Sequence, residues 1–201
     1  TLGRVDPAVL VPLKAFRHAK GRLTGHLTPA QRHRLATGMA ERVVRAAAAL
    51  PVYVACDDDE VAAWAESVGA DVLWGPGLGL NGAIDQGVST IEGKGHDHVV
   101  IPHGDLPLAR DLGSLVWSDE IVIVPDRRSD GTNVLSRPTR CVVPAAYGGG
   151  SFGRHHAAAL ATGVPVTVRH DPRLELDIDT IEDCRHPLVA ETVRALLAPP
   201  T

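Results

Sequence analysis

Few side chains in this sequence could stack on a nucleic-acid base: aromatics make up 3% of its 201 residues, which removes the platforms that single-strand binders use. A basic excess is missing too. The formal charge of -4 gives no field to draw in a polyanion, so no nucleic-acid polymer is expected as a partner, while a small anion held by local groups stays open. Cysteine is scarce. Cys56, Cys141 and Cys184 lie far apart without paired metal-ligand spacing, and an odd number cannot form a complete disulfide set, so free thiols buried in a reducing cytosol are expected. No run approaches the ~18 apolar residues of a membrane span, and residues 1–7 lack a charged-then-apolar leader. These absences predict a cytoplasmic protein that engages no membrane.

What is present is a 44% hydrophobic chain, enough to bury one sizeable core. Short runs rich in valine and isoleucine alternate with alanine-rich stretches, the pattern of parallel strands joined by crossover helices. Strands are expected over 8–13, 52–56, 71–74, 98–102, 121–124 and 164–169. The clearest helix starts with Thr28 as N-cap, Pro29 in the first turn and Gln31 completing a capping box, and runs to about Leu50. A second follows the Asp57-Asp58-Asp59 cluster, read as capping, and stops at Gly69. A third begins at Asn81, and a last one covers 188–201, fraying at Pro199 and Pro200. Segments 129–138 and 147–153 break the alternation with turn residues and read as loops or hairpin insertions over the sheet edge. No repeat or compositional boundary divides the chain, which predicts a single α/β domain over 1–201.

Five segments carry candidate chemistry. In a doubly wound sheet the loop after the first strand faces the ligand crevice, which puts Lys14, Lys20 and Arg22 around a polyphosphate; a solvated basic loop is the plain alternative. The strand at 98–102 ends in His103-Gly104-Asp105-Leu106-Pro107, placing one carboxylate where a hard cation such as magnesium binds, with helix capping as the alternative. Asp177 and Asp179 stand at alternating positions around Ile178. If extended, they share a side, a costly pairing without a cation; the alternative is that Asp179 caps the turn that follows. A turn at Asp130-Gly131 explains those two residues but not Thr132 and Asn133. Finally, Tyr147-Gly148-Gly149-Gly150-Ser151 reads as a glycine-rich loop entering a helix at Ser151, an anion site with Ser151 as donor and Arg154 as counter-charge. His155 and His156 are adjacent on that helix and point apart, which disfavours a zinc site, and nothing supports a covalent nucleophile.

Taken in order, the segment 11–23, Gly79-Leu80-Asn81, His103-Gly104-Asp105-Leu106-Pro107, Pro125-Asp126-Arg127 with Gly131-Thr132-Asn133, Ser151-Phe152-Gly153-Arg154-His155 and Asp177-Ile178-Asp179-Thr180 resemble the guanylyltransferases of deazaflavin coenzyme F-420 biosynthesis. The resemblance spans nearly the whole chain. It implies a Rossmann-like nucleotidyltransferase domain of the GT-A type, with a mixed, mostly parallel sheet and helices on both faces. It also implies GTP as donor, a phosphorylated three-carbon acid (phosphoenolpyruvate or 2-phospho-L-lactate) as acceptor, and Mg2+ held by Asp105, Asp177 and Asp179. By the same carry-over, Thr132, Gly148 and Ser151 hold the acceptor's carboxylate, Lys14, Lys20 and Arg22 face the triphosphate, and Gly79, Leu80 and Asn81 lie near the guanine. A related enzyme acting on a sugar phosphate or a molybdopterin-type cofactor, or a non-catalytic nucleotide-binding protein, are the alternatives. A homodimer is compatible with the sequence, since an apolar helix face buried between subunits reads like one buried in the core.

Overall fold

The computed structural model describes residues 5–199. Seven strands, β1 (Pro7–Pro12), β2 (Val52–Cys56), β3 (Asp71–Trp74), β4 (His98–Pro102), β5 (Ile121–Pro125), β6 (Thr132–Pro138) and β7 (Val166–Val168), form one sheet in the order β3-β2-β1-β4-β6-β5-β7. β1 runs parallel to β2 and β4, β2 to β3, and β5 to β7. β6 runs antiparallel to both of its neighbours, β4 and β5, so the sheet is mixed but mostly parallel.

β1, near the middle of the sheet, is apolar on both sides because each side is covered by helices. On β1, Val9 and Val11 pack with Ala36, Ala40 and Val43 of helix α1 (Pro29–Ala46) and with Val61 and Ala65 of α2 (Asp59–Ser67). Ala8 and Leu10 point the other way, toward Ile84, Val88 and Ile91 of α3 (Gly79–Gly93) and Ala159 of α4 (Ser151–Ala161). That two-residue alternation is what a parallel strand sandwiched between helix layers requires. A third apolar cluster joins Leu35 and Met39 of α1 to Leu176, Ile178, Cys184 at the end of α5 (Ile181–Cys184) and Val193 of α6 (Ala190–Leu197). It anchors the segment that carries Asp177 and Asp179.

Local signals set the helix starts. The Thr28 hydroxyl accepts from the Gln31 N–H and the Gln31 side chain accepts from the Thr28 N–H, with Pro29 in the first turn. Asp58 caps α2 by accepting from Val61 N–H at 3.3 Å, and Gly69 beyond it has φ +81°. Of Asp57, Asp58 and Asp59, it is therefore Asp58 that does the capping.

Three expectations need correction. Residues 129–138, expected as a loop or a hairpin insertion over the sheet edge, do form a hairpin with β5, but Thr132–Pro138 is a fully buried strand inside the sheet, between β4 and β5. Its polar side chains hid it, and they are tolerated because they find partners inside the protein. Ser136 Oγ donates to Leu115 O at 2.8 Å, and Arg137 Nη1 donates to the carbonyl oxygens of Pro138, Thr139 and Cys141. Helix α3 begins at Gly79, two residues before Asn81, and Gly79 stands at φ +64°, a conformation glycine adopts without strain. The final helix is shorter than 188–201; Pro200 and Thr201, where its fraying end was expected, lie outside the described residues, as do residues 1–4 of the N-terminal segment.

Candidate active site

A cleft of ≈ 830 Å³ opens at the carboxyl ends of β1, β4 and β5. The start of β6 lies at the same end because β6 runs backwards, and this puts Gly131 and Asn133 on the cleft wall. Gly104 lets the loops after β1 and β4 approach each other: a Cβ there would stand 2.3 Å from Leu13 Cδ2.

Asp105 leaves the end of β4, and its backbone carbonyl accepts from Ile178 N–H at 3.3 Å, which draws the 174–179 segment alongside. In that segment Leu176 and Ile178 are buried in the third apolar cluster, so Asp177 and Asp179 face the cleft. One ligand oxygen each from Asp105, Asp177 and Asp179 can be chosen so that all lie within 4.8 Å of one another. The capping role considered for Asp179 belongs instead to Thr180, which forms a capping box with Asp183. The Asp183 carboxylate also accepts from Asp179 N–H at 3.1 Å and pairs with Arg127. Burial acts to raise the Asp183 carboxyl, but these donors outweigh it and hold the carboxyl below its ordinary range. Asn133, unexplained in sequence, donates from Nδ2 to Leu174 O at 2.9 Å and to Asp177 Oδ1 at 3.5 Å. Asn133, Asp183 and Arg127 are thus the positioning residues that sequence reasoning missed. The Thr180-to-Asp183 spacing was a local signal for Asp183, while Arg127 and Asn133 stood within motifs of the resemblance that gave them no such role.

The electrostatics of this cluster are uneven. Burial, and then the neighbouring Asp105 and Asp179, push the Asp177 carboxyl up to about 6. Asp105 behaves oppositely: burial, the largest influence, would raise it, but the Lys20 ammonium 2.6 Å from Oδ2, together with His103 and hydrogen bonding, lowers it. Lys20 also lies 3.4 Å from Asp179 Oδ1, and burial, which would lower its pKa, is overcome by the two carboxylates. Arg22 reaches Asp179 Oδ2 at 3.1 Å from an exposed position. Lys14 is exposed on the cleft wall. Behind Asp105, burial lowers the pKa of His103 below the ordinary histidine value, which favours the neutral ring.

The glycine-rich loop is braced by its own hydrogen bonds. α4 does start at Ser151, with Gly150 as N-cap at φ +71°. Gly150 has no side chain to cap the helix, so Asp130 does it from the β5–β6 turn: its carboxylate accepts from Gly150 N–H at 3.1 Å and its carbonyl from Phe152 N–H at 3.0 Å. Arg154 makes its hydrogen bonds inside the loop. Its guanidinium donates to the carbonyl oxygens of Ala146 and Gly149, at 2.7 Å each, and braces the loop. Ser151 Oγ accepts from Thr132 N–H at 3.0 Å, while Thr132 Oγ1 meets His155 Nδ1 at 2.9 Å. Since His155 Nε2 accepts from Ala146 N–H at 3.0 Å, the ring's proton sits on Nδ1 and is donated to Thr132. Burial lowers the His155 pKa to about 4, which keeps that tautomer neutral. Gly148 and Ser151 line the cleft, whereas Thr132 is fully buried behind them. Of the three residues placed near a base, Leu80 lines the cleft; Asn81 Oδ1 accepts from Tyr147 N–H at 2.8 Å and so ties α3 to the loop, and Gly79 serves the helix start.

An open mixed sheet that gathers carboxylates and cations at one end of its strands is an architecture this chain shares with nucleotidyltransferases. A nucleotidyl transferase from Methanothermobacter thermautotrophicus shares this fold with a TM-score of 0.65 at 14% identity, covering 94% of this chain and 98% of that one. Among curated proteins, the chain is similar to a phosphoenolpyruvate guanylyltransferase of Chloroflexus aggregans, 31% identical over 91% of this chain and 97% of the relative. It is also similar to a 2-phospho-L-lactate guanylyltransferase of Methanocaldococcus infernus, 28% identical over 87% and 81%. The family described as "Guanylyl transferase CofC like" matches residues 7–190, and the chain belongs to it. Among the described residues, no helix is long and apolar enough to cross a membrane.

Proposed function

We propose that this chain, acting as one domain, transfers GMP from GTP to the phosphate of a small phosphorylated carboxylic acid, phosphoenolpyruvate or 2-phospho-L-lactate, releasing pyrophosphate in coenzyme F-420 biosynthesis. The observation that carries the reading is the convergence of Asp105, Asp177 and Asp179 to within 4.8 Å in a cleft that Lys14, Lys20 and Arg22 also line. The acidic set suits Mg2+: all its ligands are hard oxygens, Asp105 Oδ1 is buried with no hydrogen-bond partner, and Asp177 is repelled by its neighbours. Bound there by Asp105, Asp177 and Asp179, magnesium would supply charge neutralisation for substrate phosphate oxygens.

The chain's own residues account for the rest. A phosphate nucleophile is already ionised near neutral pH, so no general base is required, and the cleft needs only to align the acceptor phosphate in line with the α-phosphorus. Lys14, Lys20 and Arg22 stabilise the departing pyrophosphate. Ser151 and the Gly148 backbone hold the acceptor's carboxylate, with Thr132 fixing Ser151 from behind, and Leu80, beside Gly79 and Asn81, borders the guanine.

The test is pyrophosphate release by purified protein with GTP and Mg2+, with phosphoenolpyruvate, 2-phospho-L-lactate or 3-phosphoglycerate as acceptor. Release with one of the first two is expected. Folded protein that releases none with any acceptor would sink the reading.

A further inference from the structure

Lys20 is held differently from the other cations of the cleft. Its side chain is 8% exposed where that of Arg22 is 74% exposed. Its backbone sits at φ +57°, a left-handed conformation uncommon outside glycine. The one-turn helix Gly21–Leu23 that follows buries Leu23 and turns the Lys20 side chain inward, onto Asp105 and Asp179. A lysine dedicated to a triphosphate has no reason to be seated this way. The ammonium lies between two of the three carboxylates that would ligate a divalent cation.

We infer that Lys20 is an exchangeable counter-cation of the acidic cluster. The inference rests on reading that cluster as a metal site. An ammonium 2.6 Å from Asp105 Oδ2 and a divalent ion on the same carboxylates repel each other, so binding of the ion displaces Lys20. The flexible four-carbon stem lets the displaced head move along the cleft to the substrate phosphates, a compact point charge suited to that handover. Metal and nucleotide binding are thereby coupled through one side chain: the metal frees the lysine that the nucleotide needs, and by linkage the nucleotide favours the metal equally. Lys20 also keeps the carboxylates from repelling one another until the metal arrives.

Mn2+ binding to the full chain, followed by the electron paramagnetic resonance of the free ion without nucleotide, tests this without reading turnover. Lys20→Gln should bind Mn2+ roughly tenfold more tightly than the parent, within the usual range of coupling between sites. A non-hydrolysable GTP analogue should then tighten Mn2+ binding less in the variant than in the parent. Equal or weaker Mn2+ binding by folded Lys20→Gln overturns the exchange and makes Lys20 a fixed brace for Asp105. If neither chain binds Mn2+, with or without the analogue, the metal-site reading itself fails, so the two failures are distinguishable. Should Lys20→Gln not fold, the parent chain gives a second readout, because its lysines are Lys14, Lys20 and Lys94. Mn2+ should accelerate acetylation of Lys20 relative to Lys94; unchanged or slower labelling overturns the proposal.

Discussion

Two polar clusters border the same cleft and obey opposite rules. Around Thr132, Ser151 and His155, the groups pair in sequence: Thr132 N–H with Ser151, the Thr132 hydroxyl with His155, and the far side of His155 with the Ala146 N–H. In the acidic cluster Asp105 Oδ1 is buried without a partner, Asp177 is crowded by like charge, and one ammonium spans two carboxylates. The first arrangement is complete without a ligand and gives shape to the acceptor side of the cleft. The second is left incomplete, as a site that must accept a cation requires. Burial of a polar group therefore says little about its role until its partners have been followed to the end.

The sharpest way to break the contrast is to neutralise one member of the incomplete cluster. Asp177→Asn should lower turnover on the order of 10³-fold, comparable to losing a key electrostatic group in other active sites. The same change should raise the stability of the metal-free chain by about 1–2 kcal/mol, since it removes a buried, repelled charge. Pyrophosphate release and a chemical melt, run side by side, check both; a destabilised variant would mean that Asp177 is structural.

Acid should attack the complete cluster, and a second buried histidine outside it, instead. His155 and the buried His98, whose Nε2 lies 2.8 Å from Ser136 Oγ, both have pKa values lowered to about 4 by burial. Protonation thus favours the unfolded chain, and the stability these neutral rings contribute is full above about pH 6.5 and drains as pH falls toward 4. The loss should be on the order of 2–3 kcal/mol for each ring. Asp177, raised to about 6, works against this trend below that pH, so the decline should be steeper in Asp177→Asn. Melts between pH 7.5 and 4.5 measure it, and a flat profile would remove the neutral-histidine account.

The smallest effect is expected at the border between the clusters. Ser151→Ala leaves the buried Thr132 N–H without its acceptor, at a cost of about 1–3 kcal/mol. It should also raise the acceptor's KM while altering kcat little. An unchanged acceptor KM would take Ser151 out of the acceptor site.

Much of the scaffold was legible because its signals are local. Strand alternation, the Thr28 capping box and the Asp177-Ile178-Asp179 spacing are each contained within a few residues. What escaped depends on partners far along the chain. β6 looks too polar for a central strand until Ser136 meets Leu115 and Asn133 meets Leu174. Asp130 reads as a turn residue, yet it also caps a helix that starts 21 residues later, and no local window links the two. The ion pairs of Lys20 are invisible in sequence because its partners, Asp105 and Asp179, stand 85 and 159 residues away.

The segment running through Leu176, Asp177, Ile178 and Asp179 uses neighbouring residues for opposite purposes, one pair held in the apolar cluster and the other turned to the cleft. Its side chains repeat every two positions, so inserting or deleting a single residue there would turn carboxylates into the core and leucine and isoleucine out to the substrate. Length in this stretch is consequently as constrained as residue identity. Related chains can be expected to vary freely in the exposed turns on either side while gaining or losing residues between Leu174 and Thr180 only two at a time, if at all.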